Sequence, residues 1–286
     1  MSKLPFDVAP VDATLGAVVT GVRLAEISEA DFAALYATWL DHALLIFPDQ
    51  HLTREEQLAF AQRFGEMEIP ITPISNVAKD GSVRPPDDDV MKILQGNMFW
   101  HADSTYMPIQ AKGAVFSAHT VPPAGGETGW ADMRAAYDAL SPAMKEKIEG
   151  LSAYHSLAYS QAKQVDHQHT EGSAYSGYGM TVKDPPLRPL VKVHPETGRP
   201  TLGIGRHAYG IPGLSPAESE ALLDELTDFA CQAPRIHYHH WTPGDAVIWD
   251  NRCLLHRACM WDLAEPRVMY HSRIKGDVVS EFAASA

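Results

Sequence analysis

The chain is poor in cysteine. Cys231, Cys253 and Cys259 are its three thiols in 286 residues, at no spacing that suits a metal. That scarcity argues against a disulfide scaffold and points to reduced thiols in a cytoplasmic setting. No uninterrupted apolar run approaches the roughly 18 residues of a membrane span. The first residues, Met1 to Asp7, lack the apolar core of a secretory leader. Basic charge is short as well, 23 Lys and Arg against 36 Asp and Glu, which leaves −13. Nucleic acid and anionic membranes are therefore not expected partners. A small organic acid stays open as substrate, because a pocket can be basic inside an acidic shell. Internal repeats and low-complexity linkers are missing too, so residues 1–286 are expected to form a single domain.

What is present reads as short strands with helices between them. The segment through Val22 alternates as strands do and turns at Thr20-Gly21. Ser28 with Asp31 opens a helix carrying Phe32, Leu35, Trp39 and Leu40, and residues 43–47 form a buried strand ended by Pro48. Thr53 to Glu56 is a capping box for a helix running toward Phe64. Residues 70–92, with four prolines and three consecutive aspartates, read as an irregular mobile loop. Further strands are expected at 114–121, 190–194, 201–205, 246–249 and 268–274, with a hairpin turn at 196–199. Helices are expected at 133–140, 142–151 and from Ser215 onward. The pattern implies a mainly β fold with peripheral helices, a double-stranded β-helix or jelly-roll core of cupin-like type.

Two distant stretches carry the chemistry. One is Trp100-His101-Ala102-Asp103; the other runs from Trp249 through Asp250, Asn251 and Arg252 to His256, with Arg267 beyond it. Residues two apart on a strand share a face, so His101 and Asp103 can aim at one point. Two histidines and one carboxylate can hold a ferrous ion on one side and leave three positions open. Zinc accepts the same set, so a zinc hydrolase or a non-oxidative binding jelly roll is the alternative of another class. Fourteen histidines are more than usual for this length, and abundance alone assigns none of them.

These stretches, with Gly125-Gly126-Glu127-Thr128 between them, resemble the taurine dioxygenase / 2,4-dichlorophenoxyacetate dioxygenase family of Fe(II)- and 2-oxoglutarate-dependent enzymes. The likeness runs from about Gly16-Ala17 to Gly276-Asp277. Longer runs, 100–107, 190–199, 204–207 and 267–273, are similar to the (S)-2-aryloxypropionate type of aryloxyalkanoate dioxygenase. The resemblance implies that His101, Asp103 and His256 hold the iron and form the catalytic centre. It also implies that Arg267 and Thr128 bind 2-oxoglutarate beside Trp249, and that dioxygen takes the last position. The implied partner is a small organic acid, with further copies of the same chain as a homo-oligomer. An aryloxyalkanoate, an alkyl sulfonate and a sulfate ester are the candidate substrates.

The family keeps a second arginine four residues after the first, where it binds the substrate's acid group. This chain has His271 there, a poorer anion anchor. Regular alternation puts Arg267, His271 and Arg273 on one strand face, with Arg273 roughly 20 Å from Arg267 at about 3.3 Å per residue. Arg206 is the favoured anchor instead, and Asn97 matches a substrate-pocket position of the family.

Overall fold

The computed structural model describes residues 4–164, 182 and 184–283. A seven-stranded sheet runs, in spatial order, through Asp7–Pro10, Ala17–Thr20, Leu44–Phe47, Ala246–Asp250, Gly113–Thr120, Val268–Ile274 and Met67–Ser75. A three-stranded sheet places Thr128–Asp132 between Ile236–His239 and Leu254–Ala258.

Side-chain alternation decides the layers. Leu44, Ile46, Phe116, Val247 and Trp249 of the large sheet pack with Trp130 and Leu254 of the small one, forming the core between the sheets. Their neighbours Leu45, Phe47, Val115 and Ile248 point the other way, onto Leu35, Trp39 and Phe60 of the helices Glu29–His42 and Arg54–Gln62. Ala131 and Leu255 of the small sheet likewise pack outward, against Ala136, Leu222 and Leu226 of the helices Met133–Ala139 and Pro216–Ala230. Period-two alternation on strands buried on both faces thus gives helix, sheet, sheet, helix. Each fully buried Leu, Ile or Phe contributes about 1.5–3 kcal/mol of transfer free energy.

Local signals hold where they are strong. The Ser28 hydroxyl accepts from the Asp31 amide at 3.1 Å, and Thr53 and Ser215 each complete a capping box. Each such cap contributes about 1 kcal/mol. The turn at 196–199 joins Val191–Val193 to Pro200–Leu202, with Val193 opposite Pro200. The strand expected over 190–194 breaks at Leu190, and the one expected over 201–205 is only Pro200–Leu202.

One expectation holds in part and another needs correction. The paired sheets with helices on their outer faces are present, but helices and strands occupy comparable stretches of the described residues, so the mainly β reading holds only in part. Residues 70–92 are not one loop: Met67–Ser75 is the edge strand of the large sheet, and Asp89–Gly96 is a helix. Pro70 and Pro73 lack an N–H, which an edge strand tolerates on its open side. Within the aspartate run, the Asp88 side chain accepts from the Val90 amide at 2.8 Å and starts that helix. Among the described residues no helix is long and apolar enough to cross a membrane.

Candidate functional site

The two halves of the histidine pattern meet through their backbones. The His101 amide donates to the His256 carbonyl at 3.0 Å, and the His101 carbonyl accepts from the His256 amide at 2.7 Å. This single antiparallel bridge extends the small sheet past Leu254–Ala258 and brings the imidazole centroids to 4.2 Å. His256 shares a strand face with Leu254 and so looks into the core between the sheets. The Trp249 ring lies 4.8 Å from it there. The His101 Nδ1–H donates to the Phe99 carbonyl at 2.7 Å, which leaves the Nε2 lone pair for a ligand.

Asp103 is fixed by Asn251. The Asn251 Oδ1 accepts from the Asp103 amide at 2.7 Å, and its Nδ2 donates to the carbonyls of Asp103 and Ala111, both at 2.9 Å. The carboxylate is then divided between two tasks. Arg273 donates to Oδ1 at 2.8 Å. Oδ2 is buried without a hydrogen-bond partner among the described residues, 3.8 Å from His256 Nε2 and 3.5 Å from His271 Nε2. One donor atom each from His101, Asp103 and His256 lies within 4.8 Å of the others. An orphaned carboxylate oxygen beside two imidazoles fits a divalent metal ion.

The electrostatics agree with that fit. Burial holds the His101 imidazole well below its usual pKa and brings His256 down to about 4, so both are neutral donors at pH 7. Burial pushes the Asp103 carboxyl up, but Arg273, His256 and His271 outweigh it and keep the group ionised.

Arg267 is 3% exposed and reaches toward this face through Phe116, whose ring lies 6.0 Å from the guanidinium and 6.3 Å from the Trp249 ring. The Gly125-Gly126 turn explains its position. Both glycines have left-handed φ, +75° and +73°, and a Cβ on Gly126 would lie 3.2 Å from the Arg267 Nε. The Gly126 carbonyl accepts from Nε and Nη2 at 3.3 and 3.2 Å. The guanidinium also lies 5.3 Å from the Trp261 ring, and burial lowers its pKa to about 10. Thr128, buried at the start of its strand, accepts from Trp241 Nε1 at 3.0 Å and retains its hydroxyl proton for a further bond.

The remaining sequence candidates divide. Arg206 is half-buried, donates to the Gly96 carbonyl, and lies 3.4 Å from His207 Nε2; burial lowers its pKa to about 10. Asn97 caps the Asp89–Gly96 helix, and its carbonyl accepts from the Ala258 amide at 2.8 Å. His271 and Arg273 do share a face, as alternation requires, but both turn onto Asp103 instead of standing open to a substrate acid. His271 also stacks on Trp249 at 5.6 Å.

A second set of possible ligands, His194, Asp250 and Cys253, lies equally close together. Its donors are already committed. Arg252 takes both Asp250 oxygens at 2.8 and 2.6 Å, His194 bonds Asp250 at 3.0 Å, and burial raises the Cys253 thiol. This cluster is a brace.

Sequence reasoning missed Asn251 and Asn76. The Asn76 Oδ1 accepts from the Arg267 amide at 2.7 Å, and its Nδ2 reaches two carbonyls of the 263–265 turn. Asn251 lies within the Trp249–Arg252 motif, which marks it in the sequence; Asn76 has no such local signal.

A buried face of two histidines and a carboxylate, set between the sheets beside an arginine, is the arrangement of a non-haem metal oxygenase. The chain matches the taurine catabolism dioxygenase TauD, TfdA family over residues 7–273 and belongs to it; it is an oxidoreductase. It is 63% identical over 280 residues to an (S)-phenoxypropionate/alpha-ketoglutarate-dioxygenase of Sphingobium herbicidovorans, covering 97% of this chain and 98% of that one. A protein of the same description from Delftia acidovorans is 60% identical over 287 residues, with 98% of each covered. The crystal structure of AAD-2 in complex with Mn(II) and N-oxalylglycine matches with a TM-score of 0.90 at 34% identity, covering 98% of this chain and 99% of that one.

Proposed function

We propose that this chain is an Fe(II)- and 2-oxoglutarate-dependent dioxygenase acting on aryloxyalkanoates, with (S)-2-aryloxypropionates as the substrate class. It hydroxylates the carbon next to the ether oxygen. One atom of dioxygen enters succinate as 2-oxoglutarate loses CO2; the other becomes the new hydroxyl. The resulting hemiketal expels a phenol and leaves a 2-oxoacid. The observation that carries this reading is the unpartnered Asp103 Oδ2 beside His256, with the buried Arg267 guanidinium bonded, among the described residues, only to the Gly126 carbonyl.

In this reading His101, Asp103 through Oδ2, and His256 hold the iron, which supplies dioxygen activation when bound. Arg267 grips the distal carboxylate of 2-oxoglutarate as a planar fork, and the Thr128 hydroxyl adds a hydrogen bond. Trp249 walls the site and excludes water. Arg206 takes the substrate acid, close to Asn97. His271 and Arg273 are positioning residues that orient Asp103, a role that replaces substrate contact in the sequence-based expectation. The core between the sheets is the jelly roll of this family. One catalytic domain spans the chain, since the family match alone covers residues 7–273. The three cysteines are free, in keeping with a cytoplasmic enzyme, and a homo-oligomer is the expected assembly.

The test is anaerobic addition of Fe(II) and 2-oxoglutarate, followed by a succinate-release screen. A weak visible charge-transfer band, absent in His101→Ala, is expected. Phenol release coupled to succinate is expected with (S)-2-aryloxypropionates, above their (R) partners, alkyl sulfonates and sulfate esters. Coupling confined to sulfonates or sulfate esters would overturn the substrate assignment; no band and no succinate would overturn the chemistry.

A further inference from the structure

Behind the metal face, on the outer side of the small sheet, lies a cavity of about 290 Å³. Ala102 and Leu255 line it, and both belong to the outward-packing core cluster. Their chain neighbours are His101, Asp103 and His256, so the cavity and the candidate iron site share a wall one strand thick.

The polar groups on that wall are incompletely satisfied. His155 ends the strand Ser152–His155 and is 1% exposed, and neither ring nitrogen has a partner among the described residues. Thr105 is 5% exposed and its hydroxyl is likewise unpartnered. Arg188 donates to the carbonyls of Thr105, Met107 and Glu281 at 2.7, 2.7 and 3.1 Å. Lys192 pairs with the Glu281 carboxylate at 3.2 Å. Arg252 also lines the cavity but is paired with Asp250 and Glu196, so among the described residues Arg188, Lys192 and Glu281 leave one surplus positive charge. Burial lowers Arg188 to about 10 and His155 to about 3, so the imidazole is neutral and offers one donor and one acceptor.

We propose that this cavity binds one small organic carboxylate, whose charge offsets Arg188 and whose oxygens accept from the Thr105 hydroxyl and the His155 imidazole. Water alone would satisfy those bonds but leave the buried charge unneutralised. Phosphate, at about −1.5 to −2, overcompensates a single surplus charge. At about 30 Å³ per water the space equals roughly ten waters, enough for an acid of a few carbons. The assignment does not depend on the chemistry proposed for the metal face.

The experiment is calorimetric titration of the protein, loaded with Mn(II) and N-oxalylglycine to fill that face. The probes are acetate, lactate, pyruvate and inorganic phosphate, at fixed ionic strength. Saturable uptake of one carboxylate per chain is expected, with phosphate weaker. Thr105→Val, nearly isosteric, should weaken it at least tenfold, and His155→Leu should do the same. Both variants should keep wild-type succinate release at saturating substrate. Histidine side-chain ¹⁵N spectra give a second reading, with one additional imidazole moving on addition of acid in wild type and not in His155→Leu. No saturable uptake, uptake unchanged by both substitutions, or equal uptake of phosphate would each overturn the proposal.

Discussion

Asn251→Ala should separate folding from metal orientation in a way that can be measured. The substitution removes three buried hydrogen bonds, leaving the Asp103 amide and the carbonyls of Asp103 and Ala111 without their partner. An unsatisfied buried group is destabilising by about 1–3 kcal/mol. Asn251 also lines the outer cavity, from which water can reach some of these groups, so a total near 3–5 kcal/mol is expected. Loss of an outer support around a ligand typically weakens metal binding about 10- to 100-fold. Asn76→Ala is the matched control. It also loses three side-chain bonds, but its partners are the Arg267 amide and the carbonyls of Leu263 and Glu265. Urea denaturation should therefore show similar losses for both variants. Mn(II) titration, read from the free-ion paramagnetic signal, should show weaker binding in Asn251→Ala alone. A Kd for Mn(II) within twofold of wild type in Asn251→Ala would refute the idea that this clamp orients Asp103.

Three further substitutions follow from single contacts. In Gly96→Ala the new Cβ would lie 2.7 Å from Arg206 Nη1, so the guanidinium must move; KM for the aryloxyalkanoate should rise about tenfold with kcat and the 2-oxoglutarate KM little changed. Arg267→Gln should raise the 2-oxoglutarate KM about 100-fold and leave Mn(II) affinity intact, whereas Arg252→Met leaves the buried Asp250 without its guanidinium, with only His194 as a side-chain partner, and should lower stability by about 3–5 kcal/mol. For His155 the folded pKa of about 3 lies below its ordinary 6.5, so the unfolded chain takes the proton first as pH falls. That stability is complete above 6.5 and declines toward 3, so between pH 7 and 5 wild type should lose about 2 kcal/mol more than His155→Leu in denaturation midpoints. Parallel pH profiles for the two proteins would contradict the buried neutral imidazole.

Much of this was readable from the chain because the signals were local. Caps at Ser28, Thr53 and Ser215 need only three or four residues to declare themselves, and the His-x-Asp pattern is carried by adjacent positions. The histidine pairing itself is not local: His101 and His256 meet through one backbone bridge whose register depends on the whole small sheet. The directions of His271 and Arg273 were half legible. Alternation gave their common face but not what that face meets, which is Asp103 arriving from a separate segment. The 70–92 stretch misled because proline and aspartate are read as loop formers. An edge strand accommodates the first, and a helix N-terminus uses the second.

The buried arginines carry a distinction that composition hides. Arg134 and Arg252 each bond an aspartate two residues earlier, Asp132 and Asp250, and those pairs hold their pKa above the usual value. Arg188, Arg206 and Arg267 instead donate to main-chain carbonyls, and burial lowers each to about 10. A desolvated cation facing carbonyls alone is unfavourable unless something anionic completes it. In the first group the counter-charge sits two residues earlier, at the end of the preceding strand, so these arginines contribute to the fold. In the second no side-chain carboxylate bonds the guanidinium among the described residues, so a bound organic acid would supply the counter-charge. In the function proposed above, Arg206 and Arg267 would meet the carboxylates of substrate and co-substrate beside the metal face. Arg188 lines the cavity across the shared wall, where the proposed acid would complete it in the same way.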